Sequence, residues 1–167
     1  ERSVLEASKE VVKFGNITSR LFNMIPELLK EADDKKFEKQ MVRIKKYEEI
    51  TDRMEVEIAD YLTKAAQGEL SDPASNKVRS MLSIINDMER IGDICYQLSI
   101  TIQRKNEQKA YFTPELRKTV EEMMLEVQKA LTIMNKNLGS EYSQVSIIDA
   151  NQAETIINKI RNKLRKE

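Results

Sequence analysis

Apolar positions recur along this chain at three- and four-residue intervals, in long stretches parted by short polar breaks, and this spacing predicts helices. The first runs from about Val4 to Glu31, with Val4, Val11, Phe14, Thr18, Leu21, Phe22, Ile25, Leu28 and Leu29 on its apolar face. Pro26 lacks an amide donor, so a kink near Phe22 is expected. Asp33 or Asp34 caps a second helix, which reads through Phe37, Met41, Ile44, Tyr47, Thr51, Met54, Ile58, Tyr61 and Leu62 and stops at Gly68. Asp72 is the expected cap of a third, with Pro73 at its first position, running to about Lys105 through Val78, Met81, Leu82, Ile85, Met88, Ile91, Cys95, Leu98 and Ile102. After a polar stretch from Asn106 to Tyr111, Thr113-Pro114 opens a fourth helix that ends near Leu138 and Gly139. Ser140 caps a fifth, from about Glu141 to near the C-terminus. The fold class expected is all-α, an elongated antiparallel bundle of long helices joined by short turns.

Two of these helices share a polar device. Ile44, Glu48 and Asp52 stand four residues apart, and so do Ile85, Glu89 and Asp93. A four-residue step turns only about 40° around a helix at about 100° per residue. Each pair of acids therefore lies on one face, a turn apart, beside the apolar stripe. Side by side, the two helices bring four carboxylates to one groove. Two carboxylates about 5 Å apart repel by roughly 3 kcal/mol at an effective dielectric of about 20. A bound cation, an Arg or Lys partner, or shared protons would each relieve that. As metal ligands, the candidates are Glu48, Asp52, Glu89 and Asp93, with Glu55 as a further ligand one turn after Thr51. Gly92 has no side chain and is expected to allow close approach of a neighbouring helix. The plainer reading is a solvated acidic face, with Arg53 and Arg90 pairing to acids across the helix boundary.

Composition narrows the chemistry. Of 167 residues, 34% are charged and 5% aromatic, with four Gly and three Pro, a profile of long helices with a narrow apolar seam. Lys and Arg balance Asp and Glu, so no global field points to nucleic acid. The absence of His removes the Glu-x-x-His ligands of di-iron bundles, and one Cys cannot build a zinc site. Any metal must be held by oxygen, which favours Mg, Mn or Ca and tolerates iron. Cys95 reads as a small buried hydrophobe, and the eight Met residues read as core. The basic run Lys159–Lys166 reads as a solvated helix end. No stretch approaches the roughly 18 apolar residues of a membrane span.

A weak internal repeat is visible at a shift of 106 residues. Ile44, Tyr47, Glu48, Asp52 and Met54 fall on Ala150, Ala153, Glu154, Asn158 and Ile160, and Leu21 and Leu28 fall on Val127 and Met134. This divides the chain into a three-helix unit over 1–106 and a two-helix partial unit over 107–167.

With its tandem three-helix plan and the stretch Asp87-Met88-Glu89-Arg90-Ile91-Gly92-Asp93, the chain resembles the PhoU family. Glu48-Glu49-Ile50-Thr51-Asp52 is similar to that family's partner motif. The resemblance implies a PhoU-like tandem repeat with its last helix missing, not an enzyme. It also implies a metal cluster on the matched acids, although Asn158 stands where the second repeat would carry an acid. The start at Glu1 and the incomplete second repeat favour a piece of a longer protein. On that reading the chain is the regulatory domain of a sodium:phosphate symporter, at the cytoplasmic face of the plasma membrane as part of a membrane protein. Its expected partners are the transporter domain of the same polypeptide, phosphate, and a second copy in a homo-oligomer. The alternatives are a free-standing PhoU-type regulator of phosphate transport, an oxygen-ligated metalloenzyme such as a phosphohydrolase, and a structural helical adaptor.

Overall fold

In the computed structural model, residues 2–108 are described throughout; beyond them the described residues are 113–115, 117–119, 121–122, 124–125, 128–129, 155–163 and 165. Three long helices dominate: α1 (Arg2–Lys30), α2 (Asp34–Ala66) and α3 (Asp72–Glu107). At about 1.5 Å per residue they span roughly 44 to 54 Å. Short turns fold them back on one another, and each packs against the other two. The result is the elongated all-α bundle that the periodicity predicts.

The turn chemistry sets the helix starts. The Asp33 carboxylate accepts from the Lys36 amide at 3.0 Å and caps α2. The cap of α3 is Ser71, one residue before the expected Asp72. Its Oγ accepts from the Ala74 amide at 3.3 Å, and its carbonyl already accepts the first helical bond, from Ser75 at 2.9 Å. Asp72 thus becomes the first helical residue, where its charge meets the positive end of the helix. α1 continues as one helix through Pro26.

The core lies along the axis where the three helices meet. Phe14, Leu21, Phe22, Ile25 and Leu28 from α1 close against Ile44 and Leu62 from α2 and against Met81, Ile85, Met88, Ile91 and Leu98 from α3, all of them fully buried. Cys95 is buried among them, and burial pushes its thiol up. Tyr61, placed by periodicity on the apolar face of α2, is 44% exposed. Buried hydroxyls are satisfied by their own helices: Thr18 donates to Phe14 O at 2.9 Å and Thr51 to Glu48 O at 2.8 Å.

Parts of the second half pack onto this core. Met124, Ile157 and Ile160 are buried with it. Lys30 lies 3.9 Å from Glu121, and Arg161 donates to the Gln97 side chain on α3. The expected end of the fourth helix at Leu138 and Gly139, the cap at Ser140 and the repeat position Glu154 lie outside the described residues.

One expectation is corrected here. Among the described residues no helix is long and apolar enough to cross a membrane. The helices are amphipathic, with charge along every outer face. None of these helices therefore supports the expected placement at the plasma membrane as part of a membrane protein.

Candidate functional site

The acidic positions of α2 and α3 line one seam between these helices. Both helices turn their apolar stripes to the same core, and the acids ride at the edge of those stripes. Glu48 is buried, at 8% exposure; Glu55, Glu89 and Asp93 are partly buried; Asp52 is exposed. Burial pushes the Glu89 carboxyl above its ordinary range, and the negative charges of Asp52, Asp93, Glu55 and Glu48 push it further. Burial likewise raises Glu48, and its neighbour Asp52 adds to the rise. The seam thus joins acids of both helices in one electrostatic group.

Lys45, which the sequence pattern did not single out, opposes this. Its ammonium lies 3.2 Å from Glu48 Oε2 and 4.0 Å from Glu49 Oε1, and it stands 4.8 Å over the Tyr96 ring of α3. The pairing with Glu48 raises the Lys45 amine. The signal was present in the spacing, since Lys45 stands three residues before Glu48 on the same helix. Farther along the seam, Asp93 Oδ2 accepts from the Gln97 amide at 3.4 Å. Arg90, expected to reach an acid on the neighbouring helix, donates to Asp87 on its own helix at 3.3 Å. Asp87 is buried.

Two further expectations meet the geometry here. Gly92 is buried, but a Cβ added to it would meet Leu21 Cδ2 of α1 at 3.8 Å, an ordinary contact. Its open side faces α1, and the packing there does not require glycine. The metal-binding expectation is corrected. Among the described residues, no three of His, Cys, Asp and Glu are grouped so as to hold a metal ion. Glu48, Asp52, Glu89 and Asp93, with or without Glu55, are near enough to repel but do not converge as ligands. A hard cation needs several oxygens within about 2.0–2.6 Å. Here Lys45 already covers Glu48 and Gln97 holds Asp93.

Beside Lys45 the seam opens into a groove of about 410 Å³, with Met41, Val42, Tyr96 and Ile100 as its apolar wall. Val42 is 71% exposed at its rim. Nothing in the sequence pattern marked this groove, because Val42 falls outside the apolar stripe.

The PhoU domain family matches this chain over residues 11–101, which include every acid of the seam. No curated protein and no solved structure matches it.

Proposed function

The chain belongs to the PhoU family, whose members are non-catalytic regulators tied to phosphate homeostasis, and from that premise we propose that it controls phosphate uptake by docking on a protein partner. The observation that carries this reading is the family match, which spans more than half of the chain and the whole α2–α3 seam. The seam suits contact rather than chemistry. It offers partly desolvated acids whose mutual repulsion a basic partner segment would relieve. The groove beside Lys45 adds apolar surface for the same contact. A PhoU-type regulator is better supported than the symporter domain, since the match is to the PhoU domain itself.

The test is functional replacement. In a bacterium lacking its own PhoU-type regulator, expression of this chain is expected to lower phosphate uptake when external phosphate is plentiful. Uptake unchanged by the folded, expressed chain overturns the reading. Asp52→Lys reverses an exposed charge of the seam and is expected to abolish control while leaving the melting temperature near that of the parent.

A further inference from the structure

The hairpin of α1 and α2 leaves one apolar spot open to solvent. Tyr61 stands on the apolar face of α2 by its place in the sequence, yet it is 44% exposed. It borders a small pocket between the two helices, lined by Ala7 and Glu10 of α1 and by Met54, Glu57 and Ile58 of α2. Ala7 and Ile58 are buried and Met54 packs against the core, so the floor is apolar. Glu10 and Glu57 are exposed, so the rim carries one carboxylate from each helix beside the phenol ring. The pocket has a volume of about 170 Å³, below the roughly 300–1,000 Å³ of small-molecule sites.

We propose that this pocket receives the side chain of an arginine presented by a partner protein. Its size admits one long side chain and neither a cofactor nor a helix. Arginine has the matching anatomy. Its apolar stem lies on Ala7, Met54 and Ile58, and its charged head stays at the wet rim. There the planar guanidinium stacks on the Tyr61 ring and offers N–H donors to both carboxylates.

Solvated acids are common along these helices, and two of them alone would select nothing. The apolar floor beneath them selects the occupant. An aliphatic side chain would fill the floor, but it would take water from Glu10 and Glu57 and give no hydrogen bond back. An acidic side chain would meet two like charges. A lysine would reach the same acids as a point charge, without the fork or the planar stack. Lys13 lies 3.2 Å from Glu10 Oε1 and leaves Oε2 for the incoming head. The pocket faces α1, on the other edge of α2 from the acid seam, and it goes beyond the regulatory reading.

The experiment is an NMR titration of the whole chain with Nα-acetyl-arginine methylamide, followed at the Tyr61 ring and the Met54 methyl, with the lysine and norleucine methylamides as comparisons. Saturable shifts at millimolar arginine derivative are expected, with lysine weaker and uncharged norleucine weaker still. Glu57→Gln and Tyr61→Ala each weaken arginine binding about two- to fivefold. Glu38→Gln, near the other end of α2, leaves it unchanged. All three residues are exposed, so each variant should melt near the parent, which separates lost binding from lost fold. No saturable shift, norleucine or lysine binding as tight as arginine, or parent-like affinity in both pocket variants overturns the proposal. The titration uses neither phosphate nor a transporter, so its failure leaves the regulatory reading untouched.

Discussion

Lys45 stands between Glu48 and Tyr96, its ammonium 3.2 Å from the carboxylate on its own helix and 4.8 Å over the aromatic ring on the next. One side chain thus supplies the acid seam with a tethered positive charge and ties α2 to α3. A double-mutant cycle with Lys45→Met and Glu48→Gln is expected to give a small favourable coupling, as solvent-facing pairs do. Urea denaturation at low salt measures it, and at about 1 M salt, where the screening length is about 3 Å, the coupling should shrink. A coupling of zero at low salt would show that the ammonium does not hold the position the structure gives it.

The acid seam sets a pH dependence. Glu48 and Glu89 both have folded-state values above the ordinary 4.5. The folded protein therefore keeps these protons at a pH where the unfolded chain has released them. Stability is lost as pH rises from about 4.5 through the folded values and is regained on acidification across the same window. Glu89→Gln removes the ionised form and one like-charge pair with Asp93, a relief of roughly 0.2–0.5 kcal/mol at neutral pH. Its advantage over the parent should disappear at pH 4. Chemical denaturation at the two pH values tests this, and an advantage that grows on acidification contradicts the direction of the shift.

Gly92 offers a test of packing. An added methyl meets only Leu21 Cδ2 at 3.8 Å, while Gly within a helix costs about 0.8–1 kcal/mol relative to Ala. Gly92→Ala is expected to raise the melting temperature. A fall would mean that α1 and α3 lie closer at this point than the structure shows.

The α3 cap can be assigned by substitution. Ser71→Ala removes the acceptor for the Ala74 amide and should cost about 1 kcal/mol, whereas Asp72→Ala loses only a charge near the helix start, about 0.3–1 kcal/mol. Thermal melts of the two variants decide the order; the reverse order would restore Asp72 as the cap.

The core sets the largest effect. Ile91 is fully buried against the other two helices, at 0% exposure. Ile91→Ala should cost about 2–5 kcal/mol, read by denaturant midpoint, and a cost below that range would place Ile91 away from the three-helix contact.

The sequence by itself determined the helices, because the spacing of residues such as Phe14, Leu21, Ile44, Ile85 and Ile91 is a local property that any helical backbone turns into one apolar face. It also determined that Glu48, Asp52, Glu89 and Asp93 ride at the edge of those faces, since their four-residue steps need no knowledge of the partner helix. Only the tertiary structure decided what these acids meet. The rotation of α2 against α3 and the course of single side chains are set by packing, and shifts of an ångström or two separate mutual repulsion from shared ligation of a cation. That is why Lys45 came to stand over Tyr96 of the next helix, and why Gly92 faces Leu21.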